Sequence, residues 1–147
     1  MELILWRHAD AEDGMPDAAR ALTGKGEKQA KRMAAWLEKR LPKDARVLAS
    51  PAKRAQQTAG ALTRRFETRG EIGTTAGPQS ILDVAGWPDG DGTIVVVGHQ
   101  PTLGQAAALA VTGKPAEWSL KKGALWWLES RGRGEVVTRA VIAPDML

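Results

Sequence analysis

The run Thr93-Ile94-Val95-Val96-Val97, closed by Gly98-His99-Gln100-Pro101, constrains the fold more than any other stretch of the chain. β-Branched side chains are stiff at χ1 and pack well on a pleated surface, so the run predicts a strand. It has no polar alternation, which means that neither face meets water. A strand buried on both faces belongs to a largely parallel sheet, and such a sheet needs helices as crossovers.

The rest of the chain reads the same way. Leu3 to Trp6 is a short apolar run that suits a second buried strand. From Thr23 to Leu41 the period becomes helical: Ala30, Met33, Ala34, Leu37 and Leu41 share one face, Thr23 can cap the start, and Pro42 closes the end. Arg46 to Ala49 is a third strand. Ser50-Pro51 reads as a cap followed by a first-turn proline, with Ala55, Thr58, Ala59, Leu62 and Phe66 as the buried stripe of the next helix. Thr68 to Gly92 is rich in Gly, Pro, Asp and Thr and reads as a connection, with one short strand or turn near Ile81 to Val84. Pro101 opens a third helix with Leu103, Ala106, Ala107 and Ala110 inward. Gly123 to Glu129 and Glu135 to Ile142 form two strands joined by the hairpin signal Arg131-Gly132-Arg133-Gly134. The expectation is one α/β domain with helices on both faces of the sheet.

Three strand-to-helix junctions carry the chemistry. The first strand runs into Arg7-His8, the Arg46 strand into Ser50-Pro51-Ala52-Lys53-Arg54, and the Thr93 strand into Gly98-His99. In an open α/β sheet, ligands bind beyond the carboxyl ends of the strands. Both histidines of the chain lie at such ends. Guanidinium forks match phosphate oxygens and keep their charge, a neutral imidazole can attack phosphorus, and a second imidazole, once protonated, can donate to an equatorial oxygen. Arg7, His8, Arg54 and His99 therefore suit a phosphoryl group. Taken singly, each also fits a structural or surface role.

These stretches resemble the histidine phosphatase superfamily. Its Arg-His-Gly strand end is matched by Arg7-His8-Ala9, its Ser-Pro-x-x-Arg-Ala-x-x-Thr signature by Ser50 to Thr58, and its Val-Gly-His signature by Val97-Gly98-His99. The small size and Arg20-Ala21-Leu22-Thr23-x-x-Gly26 are similar to the SixA-type phosphohistidine phosphatases. The resemblance covers roughly residues 1 to 115. It implies a three-layer α/β/α fold with a mostly parallel mixed sheet of the phosphoglycerate mutase-like kind, and a single histidine phosphatase domain over residues 1–147. It further implies metal-independent hydrolysis without a cofactor, with His8 as nucleophile, Arg7, Arg54 and His99 binding and stabilising the transferring group, and Arg20 as a substrate contact. The implied substrate is phosphohistidine on a protein, for example a histidine-phosphotransfer domain in signal transduction. A small phosphate ester, such as a sugar or nucleotide phosphate, is the alternative. A phosphoprotein-binding module without turnover is the alternative from another class.

Two departures bear on this reading. Ala9 replaces glycine, so the turn there must suit an ordinary residue. Larger relatives carry a general-acid carboxylate in an insertion between the second and third motifs, but Thr58 to Gly98 is short, and Glu67, Glu71 and Asp83 are not marked as that acid. Asp10 and Glu12 read equally well as solvated loop carboxylates. An alkoxide leaving group gains ~10²–10⁴-fold from a proton donor. A protonated imidazole leaves far more readily, so a site without a dedicated acid favours phosphohistidine.

Composition narrows the partners. The net charge of +4 favours anionic ligands, but basic residues are scattered and do not alternate with aromatics, so no nucleic-acid groove is expected. There is no cysteine and hence no disulfide or thiolate chemistry, and two histidines without a carboxylate cluster make a poor metal site. No apolar run suits a signal peptide or a membrane span, so a cytoplasmic location is expected. Thr112-Gly113-Lys114-Pro115 lacks the glycine spacing of a phosphate-binding loop. The tryptophans read as core and sheet-face residues, with Trp6 and Trp87 as lesser candidates for the pocket mouth.

Overall fold

The structure, a computed structural model, describes residues 1–147. Six strands form one sheet: β1 Glu2–Arg7, β2 Arg46–Ala49, β3 Glu67–Thr68, β4 Thr93–Gly98, β5 Leu125–Ser130 and β6 Val136–Ile142. Their order is β3-β2-β4-β1-β5-β6. The first four in that order pair in parallel, while β5 pairs antiparallel to β1 and β6 antiparallel to β5. All six residues of β4 are buried, as its unbroken β-branched pattern requires.

Four helices cover the sheet: α1 Gly24–Glu38, α2 Lys53–Leu62, α3 Pro78–Ala85 and α4 Thr102–Thr112. The period of two in the inner strands divides the core. Ile4, Trp6, Val95 and Val97 pack with Met33, Leu37, Ala55 and Ala59 of α1 and α2. Leu3, Leu5, Ile94 and Val96 pack with Ile81, Leu82, Leu103 and Ala106 of α3 and α4. The result is a three-layer α/β/α fold. At β5, Trp126 stacks on Trp118 on the α3/α4 side, with ring centroids 4.8 Å apart. Trp127 meets Trp36 edge-on at 5.9 Å on the other side. Trp6 is fully buried and Trp87 packs against the α3/α4 core, so neither lines the pocket mouth.

Several sequence expectations need correction. Ile81–Val84 is not a strand or turn but the body of α3, with Pro78 in its first turn and Gly86 ending it at φ +76°. The Gly and Pro read as loop punctuation are that helix's boundary signals. Ser50 does not cap α2, which begins at Lys53 after Ala52. Phe66 lies beyond the end of α2, although it still packs on that core. α1 stops at Glu38, before Leu41, and Pro101 precedes α4 without being part of it. The short edge strand β3 had no sequence signal; it is two exposed residues paired to β2. Thr112-Gly113 is simply the end of α4, with Gly113 left-handed at φ +83°. No helix is long and apolar enough to cross a membrane.

Candidate active site

β1, β4 and β2 are sheet neighbours, so the segments leaving their carboxyl ends meet. The ladder continues past the strands: His8 N donates to Gly98 O at 3.0 Å, and Ser50 N donates to Val97 O at 3.0 Å. These bonds bring His8, Ser50 and His99 to one level. The His8 and His99 rings lie 5.2 Å apart, and Arg54 Nε donates to His8 Nε2 at 3.3 Å. The cleft above them has a volume of ≈ 230 Å³ and is lined by Arg7, His8, Arg20, Arg54 and His99, the five residues expected from sequence. Asp17, Thr74, Gln100, Ala11 and Lys122 complete its wall.

A hydrogen-bonded chain holds His8. Its Nδ1 lies 2.8 Å from Ala9 O. A carbonyl only accepts, so the proton sits on Nδ1, and Nε2 keeps its lone pair toward the cleft. The peptide bearing that carbonyl is held at its other end by Asp10 N donating to Gln29 Oε1 at 2.9 Å. Ala9 N donates to the buried Thr58 hydroxyl at 3.1 Å. Ala9 is fully buried and outside the left-handed region, so alanine fits where the resemblance gives glycine.

The motif residues have separable duties. In α2, Arg54 and Thr58 share a face at i, i+4, Arg54 reaching into the cleft and Thr58 holding the loop after His8, while Ala55 faces the core. Gln57 Oε1 takes the N–H of Leu22 at 2.7 Å. Thr23 caps α1 through the N–H of Gly26, and its hydroxyl donates to Asp10 Oδ2 at 2.7 Å. A Cβ at Gly26 would lie 1.9 Å from Asp10 O, so only glycine lets the loop after His8 lie against α1. Ser50 is fully buried and its Oγ meets His99 Nε2 at 2.8 Å, which leaves His99 Nδ1 buried without a partner. Arg7 donates from one Nη to Leu120 O at 2.8 Å, while its buried Nε has no partner.

Electrostatics set the protonation states. Burial, against the hydrogen bond to Ala9 and with Arg54 and Arg7 nearby, pushes His8 down to about 3. His99 is pushed down to about 4, chiefly by burial and by Arg54, with Asp17 acting the other way. Both rings are therefore neutral near pH 7. Burial also lowers the pKa of Arg7 from its very high ordinary value.

Sequence reasoning missed Asp17. It lies in a single 3-10 turn, residues Asp17–Ala19, and no motif marked it. Arg54 donates to its carbonyl at 2.9 Å and to Oδ2 at 3.1 Å, while Arg20 donates to Oδ1 at 3.1 Å. Hydrogen bonds from Arg20 and Arg54 hold its carboxyl below the usual range. The other carboxylates considered from sequence lie outside the cleft wall. Glu67 pairs with Arg46, Glu71 with Arg69, Asp83 with Gln79, and Asp10 with Lys122. Glu12 contributes its carbonyl to Arg20 Nε at 2.7 Å. No group of three or more His, Asp or Glu side chains is placed to hold a metal ion.

Residues 3–76 match the histidine phosphatase superfamily (branch 1), and the chain belongs to that family. It is 33% identical to an uncharacterized protein of Picosynechococcus over 88% of this chain and 86% of that one. Among solved structures, it is similar to the protein histidine phosphatase SixA complexed with tungstate, with a TM-score of 0.85 and 24% identity over 99% of both chains. It is also similar to a phosphoserine phosphatase of Entamoeba histolytica bound to phosphoserine, with a TM-score of 0.74 and 18% identity over 99% of this chain and 98% of that one. At these identities the likeness is one of fold.

Proposed function

We propose that the chain is a phosphatase that works through a phosphorylated His8, and that its substrate is phosphohistidine on a protein such as a histidine-phosphotransfer domain. One observation carries the reading: the buried His8 ring holds Nδ1 2.8 Å from Ala9 O and turns Nε2 into the cleft, where it accepts from Arg54 Nε at 3.3 Å among cationic groups. In this reading residues 1–147 act as a single domain, and β1 to β6 draw on the chain from Glu2 to Ile142.

The roles follow from the donors on hand. His8 Nε2 attacks phosphorus and carries the phosphoryl group until water takes it. Arg54 uses three of its five N–H groups on His8 and Asp17, which leaves two for phosphoryl oxygens. Arg7 offers its unpartnered Nε, and His99 its unpartnered Nδ1. A phosphoryl dianion favours the charged form of His99, so the ring gains a proton and donates as charge builds on the equatorial oxygens. Arg20 at the rim is a substrate contact. The absence of a proton-donating carboxylate among the cleft residues supports a leaving group that departs without one. The likeness to a phosphoserine phosphatase favours a second reading, in which the same chemistry acts on a small phosphate ester.

The test compares wild type and His8→Ala on a phosphohistidine-bearing protein and a panel of phosphomonoesters, following phosphate release. Release from phosphohistidine by wild type alone supports the first reading. Turnover confined to small esters selects the second. Phosphate binding without turnover of either would make the chain a binding module, and undiminished turnover by His8→Ala would remove the mechanism.

A further inference from the structure

We propose that Asp17 determines specificity by accepting a hydrogen bond from the protonated ring of an N-phosphorylated histidine, selecting leaving groups that carry positive charge. The inference rests on the phosphatase reading above and adds what fixes its substrate class.

Position gives the first argument. His8 lies on the cleft floor at 8% exposure, whereas the Asp17 side chain is 52% exposed at the mouth. Arg54 joins them, touching His8 Nε2 with Nε and Asp17 with both terminal nitrogens. In-line displacement sends the leaving group away from the nucleophile, which here is toward the mouth. A substrate ring leaving His8 therefore emerges beside Asp17.

Charge gives the second. Asp17 is the one carboxylate in a wall that also holds Arg7, Arg20, Arg54 and Lys122. In a pocket for a phosphoryl dianion, a carboxylate opposes binding, and every other charged group there favours it. It also makes a poor proton donor, because Arg20 from its own segment and Arg54 from α2 hold it ionised. The remaining groups that face it are cationic or neutral: Arg7 and His8 from the end of β1, His99 after β4, and Lys122 before β5. An ionised carboxylate can accept from a cation, and charge-assisted bonds of this kind are about twice as strong as neutral ones.

The chemistry closes without a general acid. In phosphohistidine one ring nitrogen carries phosphorus and the other can carry a proton. The His8 Nε2 lone pair forms the new N–P bond, the substrate's N–P bond breaks, and its electron pair stays on the substrate ring. The proton on the other nitrogen remains in place, hydrogen-bonded to Asp17, and the ring leaves as neutral imidazole. Asp17 keeps the phosphorylated ring protonated to higher pH. The same carboxylate repels substrates whose leaving group is anionic.

The experiment measures kcat/KM against pH for wild type, Asp17→Asn and Asp17→Glu, with a phosphohistidine-bearing protein and with phosphoserine. Asp17→Asn should lower kcat/KM for phosphohistidine about tenfold and move its alkaline limb down by about one pH unit, the loss of one charge-assisted contact. It should raise kcat/KM for phosphoserine, and Asp17→Glu should restore the wild-type preference. An equal fall on both substrates, or an unmoved alkaline limb, would overturn the proposal and leave Asp17 as a brace for Arg54. A rise on both would make it only a competitor for Arg54. Wild type inert on phosphohistidine but active on phosphoserine would overturn the proposal while sparing the phosphatase chemistry; wild type inert on both would overturn the phosphatase reading itself.

Discussion

In the proposed mechanism His8 depends on two hydrogen bonds at opposite ends of one peptide, His8 Nδ1 donating to Ala9 O and Asp10 N donating to Gln29 Oε1. Gln29→Met keeps the side chain's bulk but removes the acceptor, leaving Asp10 N–H without its bond at a cost of about 1–3 kcal/mol. Turnover should fall about tenfold with the fold intact, and the ring nitrogen chemical shifts of His8 should show mixed tautomers. Gln29→Glu, which still accepts, should restore both; a Gln29→Met variant of undiminished turnover would separate the peptide from the tautomer. His99→Asn should bind inorganic phosphate weakly and turn over slowly while unfolding at the wild-type midpoint. A collapse of stability would make His99 a structural residue held by Ser50. Sequence could place Arg7, His8 and His99, because each adjoins the end of a strand with a strong apolar signature, and Arg54, because it closes the Ser50-Pro51-Ala52-Lys53-Arg54 stretch that follows the Arg46 strand. It could not place Gln29, whose contact crosses from α1 to a loop, or Asp17, whose short turn has no periodicity.

At the scale of elements, the helices act as braces for the loop that follows β1. Thr23 and Gly26 fix that loop to α1, and Thr58 fixes it to α2. Gly26→Ala forces a Cβ to within 1.9 Å of Asp10 O, against backbone with little room to give. It should cost about 2 kcal/mol or more, in the range of overpacked cores, and lower turnover with stability; chemical denaturation and phosphate release read the two together. Gly24, whose added Cβ would meet nothing within 4 Å, is the control on the same helix and should tolerate alanine. β4 was legible because its β-branched run admits one environment. α3 was not, because its eight residues are bounded by the same Gly and Pro that bound a loop, and only the i, i+1, i+4 spacing of Ile81, Leu82 and Ala85 separates the two. Ser50 misled for a related reason: a hydroxyl before proline resembles a cap, but here it is spent on His99.

Across the whole molecule, the cleft works against the stability of the fold in acid. His8 and His99 have folded pKa values of about 3 and about 4, below the ordinary 6.5, so the unfolded chain binds more protons than the folded one in that window. Stability then rises with pH and is lost as pH falls from about 6.5 toward 4, by up to about 1.4 kcal/mol per pH unit for each ring. Urea denaturation across that range should show the slope, and a His8→Asn, His99→Asn double variant should flatten it; an unchanged slope would place the acid sensitivity elsewhere. The three-layer sandwich and its ligand end were readable from strands that alternate with helices. Nothing in a one-dimensional pattern, however, showed which carboxylate would turn into the cleft. The central claim is the covalent step at His8. Rapid quenching of wild type during turnover of a phosphohistidine-bearing protein, followed by mass spectrometry of its peptides, tests it most directly. The account predicts one acid-labile phosphoryl group on the peptide carrying His8, absent from His8→Ala; turnover with no label there, or a label that survives in His8→Ala, would contradict it.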